Sequence, residues 1–205
     1  MQDDVPKFVT VVLAAGDSRR MGRPKALLPL DGRTALECVV ARAWDARAQG
    51  VIVCVSRELS QLLPAIDGHV LQVDDAERQR GPIASIRHAL SLGPTLMHAP
   101  ITAWLIWPVD HPFVDLTTIR MLIASPGDVV VPTHDGRGGH PIVISEKMRP
   151  SLLAATESEG NLRSFLAGEN KTSVPVSHPA ILWNCDTAAS FEDFRRRCSS
   201  DEGQH

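Results

Sequence analysis

The sequence predicts an α/β fold: a Rossmann-like, three-layer α/β/α arrangement around a mostly parallel sheet. Three observations predict it. Residues 8–13 (FVTVVL) are apolar on both faces, as a strand covered from both sides must be. The same signal recurs at residues 51–56 (VIVCVS), 70–73, 104–107 and 129–131. Amphipathic stretches lie between these runs, and such strand–helix alternation implies βαβ units with helices on both faces of one sheet.

Each element has its own warrant. Thr34 caps a helix over residues 35–47, where Leu36, Val39, Val40 and Ala43 fall on one stripe. Residues 82–92 (PIASIRHALSL) and 116–124 are further helices. The later part is less regular. It reads as a strand over 140–145 (HPIVIS), short helices over 146–155 and 162–167, strands over 172–176 and 181–183, and a terminal helix over 188–197. Trp104, Trp107 and Trp183 lie in or beside strands and read as core. No repeat, low-complexity tract or linker interrupts the chain, so one domain over 1–198 and a frayed tail over 199–205 are expected.

Composition narrows the function classes. A net charge of −3 argues against a nucleic-acid partner, and the run Arg195, Arg196, Arg197 reads as a solvated helix end. Cys38, Cys54, Cys185 and Cys198 share no C-x-x-C spacing, so neither a disulfide framework nor a zinc site is favoured. The start, MQDDVPKF, lacks a signal-peptide pattern, and no apolar run is long enough to cross a bilayer. A soluble, cytoplasmic protein with no membrane partner is the expectation.

Residues 13–30 (LAAGDSRRMGRPKALLPL) are the most informative segment. In open parallel sheets ligands bind outside the carboxyl ends of strands, which is where this loop begins. Leu13 ends the strand; Ala14, Ala15 and Gly16 let the backbone approach a ligand, and successive N–H groups there can cradle phosphate oxygens. Ser18 adds a hydroxyl donor, Arg20 and Lys25 add positive charge for a triphosphate, and Pro24 stiffens the chain before Lys25. The plainer alternative is a strand–turn crossover with a solvated arginine pair. The segment is neither a P-loop nor a G-x-G-x-x-G fingerprint.

A second constellation spans residues 105–114 (LIWPVDHPFV). Asp110 follows a buried strand at its carboxyl end, where one carboxylate can anchor a Mg²⁺ that keeps waters and phosphate oxygens as its other ligands. The alternative is a turn or helix-cap role, for which Asp115 is better placed.

Read from Leu13 to Lys25, L-A-A-G-x-S-x-R-M-G-x-P-K resembles the signature of the nucleotidyltransferases related to the molybdenum cofactor enzymes. Ala15 and Pro24 stand where the guanylyltransferase branch carries Gly and Asp, so the cytidylyltransferase branch is the nearer likeness. The resemblance implies a fold of the nucleotide-diphospho-sugar transferase type and phosphate-handling roles for Gly16, Arg20 and Lys25. It also implies a metal ligand at Asp110, which matches the family's P-x-D-x-P element.

The family's late D-x-D-T-P-E-D element is reduced here to Asn184, Cys185, Asp186, Thr187, so Asp186 is a second metal ligand, the cap of the terminal helix, or both. Gly81 and Ser85 match a family G-x-x-x-S-[IL] segment that contacts the nucleotide, although Gly81–Pro82 is also an ordinary helix start. Arg137, Gly139 and His140 lie in GRGGHP, similar to a family segment facing the acceptor. His140 and His111 have plain packing readings as well. Gly160 and Asn161 resemble the start of a G-[ND]-x-G element whose second glycine is Arg163 here.

The implied reaction is attack by an acceptor phosphate on the α-phosphorus of a nucleoside triphosphate, releasing pyrophosphate with Mg²⁺ as cofactor. The resemblance points to CTP and a molybdopterin-type acceptor, with a molybdoenzyme or its maturation chaperone receiving the product. Sugar- or polyol-phosphate nucleotidyltransferases share the loop logic, and a non-catalytic nucleotide-binding module fits the eroded segment around Asp186.

Overall fold

The computed structural model describes residues 6–16, 23–97, 99–154 and 162–201. β1 (Phe8–Leu13) is followed by a 3₁₀ turn at Lys25–Leu27 and a hairpin of β2 (Pro29–Leu30) and β3 (Arg33–Thr34). Next come α1 (Ala35–Asp45), β4 (Gly50–Ser56), α2 (Arg57–Ser60), β5 (His69–Val73), α3 (Asp75–Gln79) and α4 (Pro82–Leu96). The second half runs β6 (Ala103–Pro108), α5 (Leu116–Ala124), β7 (Val129–His134), β8 (Arg137–Gly138) and β9 (Ile142–Ser145). It ends with α6 (Arg149–Ala154), α7 (Leu162–Phe165), β10 (Lys171–Pro175) and α8 (Ala188–Asp201).

The main sheet has the order β10-β7-β9-β6-β1-β4-β5, with β8 on β7. β1 lies parallel between β4 and β6; β5 is parallel to β4, and β10 to β7. β9 runs antiparallel between β6 and β7. The expected mostly parallel sheet with helices on both faces is therefore the observed one, with two reversed strands, β9 and the short β8.

β1 shows why its sequence had to be apolar throughout. Phe8 and Val12 pack with Leu36, Val39, Ile119 and Phe191, while Val9 and Val11 pack on the opposite face with Ile86, Ala89 and Leu90. Burying each such side chain contributes about 1.5–3 kcal/mol, so a polar residue on either face forfeits a comparable amount. The cap at Thr34 is a reciprocal box: its Oγ1 accepts from Glu37 N–H (3.2 Å), and the Glu37 carboxylate accepts from Thr34 N–H (2.7 Å). Asp115 caps α5, accepting from Thr118 N–H at 2.6 Å.

Several expectations need correction. Residues 181–183 do not form a strand; Pro179–Leu182 is a 3₁₀ turn in which His178 Nδ1 accepts from Ala180 N–H at 3.1 Å. Pro179 cannot donate to a ladder, and the apolar signal there came from burial: Ile181 is 1% exposed and Trp183 stacks on Phe194. The strand expected from residue 140 begins at Ile142. The helix over 146–155 divides into a 3₁₀ turn (Glu146–Met148) and α6, and that over 162–167 into α7 and a 3₁₀ turn (Leu166–Gly168). α8 continues past residue 197 to Asp201. The β2–β3 hairpin, α2 and α3 were not anticipated; α2 and α3 carry their own caps, Ser56 and Asp74. No helix among the described residues is long and apolar enough to cross a membrane.

Thr10, in the middle of β1, is fully buried and its hydroxyl has no hydrogen-bond partner. Removing an unpaired buried hydroxyl while keeping the shape removes a desolvation penalty. Thr10→Val is expected to leave stability unchanged or raise it by up to about 1 kcal/mol in chemical denaturation. A loss of that size would reveal a partner for the hydroxyl.

Candidate active site

A cleft of about 1010 Å³ opens at the carboxyl ends of β1 and β6. The backbone ladder continues one step past each strand, Ala14 N–H donating to Cys54 C=O (2.8 Å) and Val109 N–H to Leu13 C=O (3.1 Å). The turn from Ala14 to Gly16 is thereby held between β4 and β6, and Leu13, Ala14, Ala15 and Gly16 line the cleft. A Cβ at Gly16 would meet nothing within 4 Å, so protein packing does not demand a glycine there. Ser18 and Arg20 lie outside the described residues.

Three charged side chains meet on the cleft wall. Lys25 Nζ lies 3.3 Å from Asp110 Oδ2 and 2.5 Å from Asp186 Oδ1. The lysine side chain is 15% exposed and the two carboxylates 22% and 34%, so all three are shielded yet open to the cleft. Local backbone contacts set this geometry. His111 N–H closes a turn on Pro108 C=O (3.1 Å), Trp107 Nε1 donates to His111 C=O (3.0 Å), and Cys185 N–H donates to Asp110 C=O (2.9 Å). That last bond brings the segment before α8 alongside the end of β6. Asp186 is not the helix cap, since Thr187 Oγ1 accepts from Ser190 N–H (3.1 Å) in that role.

The donor set suits a hard divalent cation such as Mg²⁺: two carboxylates from separate segments, with Asp110 Oδ1 buried and lacking a hydrogen-bond partner. Four buried side-chain N or O atoms among the described residues lack a hydrogen-bond partner, and three gather here: Asp110 Oδ1, His111 Nδ1 and His140 Nδ1. Asp110 and His140 line the cleft and His111 lies beside them, and orphaned polar atoms in a cleft are what a ligand would satisfy.

The remaining expected residues divide. Gly81 lines the cleft at the N-terminus of α4 with φ of 84°, a conformation that favours glycine. Ser85 is 4% exposed one turn further on, also in the lining. Gly139 and His140 also line the cleft, with His140 beside His111. The bareness of Gly139 serves the protein itself, because a Cβ there would collide with the Ile181 carbonyl. Arg137 is exposed on β8, pairing with His134 across the tight turn at Asp135 and Gly136, with its neighbours Gly136 and Gly138 in the cleft lining.

The His111 and His140 rings are 5.1 Å apart. Burial pushes the His111 pKa down against the pull of Asp110, and burial with His111 beside it pushes His140 down to about 4. Both imidazoles are therefore neutral near pH 7. Burial, reinforced by Asp110, pushes the Cys185 thiol up to about 12, which leaves it inert.

Sequence reasoning missed Arg78, Arg163 and Lys171 in the lining. Arg78 sits on the unanticipated α3, and the other two lie on α7 and the edge strand β10, where charged residues read as solvated surface.

The sequence profile of the MobA-like NTP transferase domain matches residues 10–175. The chain belongs to that family. Over 182 residues it is 28% identical to the molybdenum cofactor guanylyltransferase of Xanthomonas euvesicatoria pv. vesicatoria, covering 86% of this chain and 88% of that one. Over 192 residues it is 26% identical to the molybdenum cofactor cytidylyltransferase of Escherichia coli, covering 91% and 95%. A third relative, at 31% over 180 residues and covering 80% and 83%, is the nicotine blue oxidoreductase of Paenarthrobacter nicotinovorans. Among solved structures, Rv0371c of Mycobacterium tuberculosis superposes with a TM-score of 0.75 at 26% identity, covering 93% and 98%. The fold is that of the nucleotide-diphospho-sugar transferases. Guanylyl and cytidylyl names both occur among the family relatives, so the expectation of CTP drawn from Ala15 and Pro24 is not decided by likeness.

The His140 environment makes a pH prediction. The unfolded chain takes a proton on this imidazole near its ordinary value of 6.5, the folded chain only near 4. Its contribution to stability is thus present above pH 6.5 and is lost as pH falls towards 4. His140→Gln should shrink the difference in unfolding free energy between pH 7 and pH 4.5. An unchanged difference would contradict the assignment.

Proposed function

We propose that this chain is a divalent-cation-dependent nucleotidyltransferase that transfers a nucleoside monophosphate to a phosphorylated acceptor of the molybdopterin type and releases pyrophosphate. The observation that carries this reading is the Lys25 ammonium lying between Asp110 and Asp186 beside the turn that leaves β1. A lysine and two carboxylates at a strand end match the needs of phosphoryl chemistry, in which positioning and charge neutralisation do most of the work.

Asp110 and Asp186 would hold Mg²⁺, which when bound neutralises triphosphate charge. The turn at Ala14–Gly16 receives the phosphates through backbone N–H groups. Lys25 exchanges its carboxylate partners for phosphate oxygens as the nucleotide arrives. Gly81 and Ser85, at the N-terminus of α4, would take the nucleoside, and Gly139 and His140 the acceptor; all four line the cleft. An oxygen of the acceptor phosphate attacks the α-phosphorus in line; the new phosphoanhydride forms as the α–β bond breaks, and pyrophosphate leaves. A phosphate monoester is already ionised near neutral pH, so the step needs no protein base, in keeping with two neutral imidazoles nearby. CTP is the nucleotide favoured by Ala15 and Pro24, GTP the rival favoured by relatives of the guanylyl name.

The 31% identical relative named for a redox activity motivates a second reading, an oxidoreductase on the same scaffold. The carboxylate–lysine cluster argues for the transferase, because hydride or electron transfer has no need of a paired-carboxylate cation site.

The test is pyrophosphate release with CTP, GTP and ATP, each with a molybdopterin-type acceptor, a sugar phosphate or neither, beside a redox assay with nicotinamide and flavin donors. Release that depends on both acceptor and Mg²⁺ is expected. Asp110→Asn should lower it at least about 100-fold with the fold intact by circular dichroism. Nucleotide binding without release under every condition would favour a non-catalytic module, and redox turnover alone would favour the second reading.

A further inference from the structure

Arg78 has no part in the proposed chemistry, yet its side chain is hydrogen-bonded directly to the turn that would receive the phosphates. It projects from α3, whose first turn is held by Asp74 accepting from Glu77 N–H at 2.7 Å. α3 is also tied to α4 through Glu77 and His88 Nδ1, 3.2 Å apart. From this anchored base Arg78 Nε donates to the Ala15 carbonyl at 2.9 Å, across 63 residues of sequence. The side chain is only 17% exposed.

Two features separate Arg78 from an ordinary phosphate-binding arginine. Its charge is already met by carboxylates, since Nη1 lies 2.7 Å from Asp75 Oδ1 and 3.7 Å from Glu58 Oε2. Its bond to the turn is made to a carbonyl, an atom that would repel a phosphate. A trans peptide is planar, with C=O and the following N–H pointing in opposite directions. Fixing the direction of the Ala15 carbonyl therefore fixes the direction of the Gly16 N–H. A Cβ at Gly16 would meet nothing within 4 Å, and among the described residues the Arg78 side chain is hydrogen-bonded to that peptide.

We infer that Arg78 is a positioning residue: by capturing the Ala15 carbonyl it turns the Ala15–Gly16 peptide so that the Gly16 N–H faces a nucleoside triphosphate. The inference rests on the transferase reading, since it takes the turn after β1 as the phosphate seat. It adds that α3 sets the affinity of that seat for the polyphosphate tail without touching it. A bond of this type supports roughly a tenfold difference in binding.

The experiment uses the full chain with Arg78→Met and Arg78→Lys, the lysine retaining a donor able to reach a carbonyl. Dissociation constants are measured for CTP and GTP and for the matching nucleoside monophosphates, and the Gly16 amide resonance is followed in nucleotide-free protein. Arg78→Met is expected to weaken triphosphate binding about tenfold and monophosphate binding far less, with the change falling on KM more than kcat. The Gly16 amide should shift in the free Arg78→Met protein and return towards its original position in Arg78→Lys, together with triphosphate affinity. Equal weakening of mono- and triphosphate, or a Gly16 amide that stays in place, would overturn the inference while wild-type triphosphate binding leaves the transferase reading standing. Failure of the wild-type chain to bind any triphosphate would overturn both.

Discussion

Two carboxylates, Asp110 and Asp186, share one ammonium, and the architecture of the cleft depends on that contact. They stand 85 and 161 residues from Lys25 in sequence, and the ammonium between them offsets the repulsion of two carboxylates held at one site. The protein supplies its own cation in Lys25. On the proposed reading this lysine balances the carboxylates before substrate arrives and the triphosphate afterwards, so a single side chain serves the site in both conditions.

The fold makes this contact possible through ordinary backbone hydrogen bonds. β1 and β6 are neighbours in the sheet, so their carboxyl ends deliver the glycine-containing turn and Asp110 to one edge. The Cys185 N–H bond to the Asp110 carbonyl then fastens a segment from beyond β10 to the same point. Stability and function separate along this line: the apolar faces of β1 hold the layers together, while the polar atoms left without partners gather where the strands end. The exception is Thr10, an unpartnered hydroxyl inside the core for which the cleft offers no explanation.

Much of this was legible in the sequence because it depends on local rules. FVTVVL reads as a strand covered on both faces, and Thr34 is the cap its residue type implies, with Glu37 completing a box that the structure adds. Asp110 and Lys25 were readable because each directly follows a recognisable strand or loop signal. Other features depend on contacts that sequence spacing does not encode. The apolar residues Ile181 and Trp183 signalled burial correctly and strand wrongly, since a 3₁₀ turn packed under α8 satisfies the same pattern. Arg137 stands exposed on β8, between the cleft-lining Gly136 and Gly138, and neither sequence spacing nor fold assigns it a ligand. Arg78 gave no signal at all, because its partner is a backbone carbonyl far away in the chain. Asp186 was ambiguous for a local reason: Thr187 beside it was an equally good cap, and only the fold shows which residue took that role.

The most direct measurement of the central claim is Mn²⁺ binding, followed by electron paramagnetic resonance, in the wild-type chain and in Lys25→Met. If the ammonium and a divalent cation share the same two carboxylates, Lys25→Met should bind Mn²⁺ more tightly than wild type without nucleotide, by roughly tenfold. CTP or GTP should strengthen Mn²⁺ binding in the wild-type chain more than in the variant. Mn²⁺ affinity that is unchanged or weaker in Lys25→Met, with no response to either triphosphate, would contradict the account.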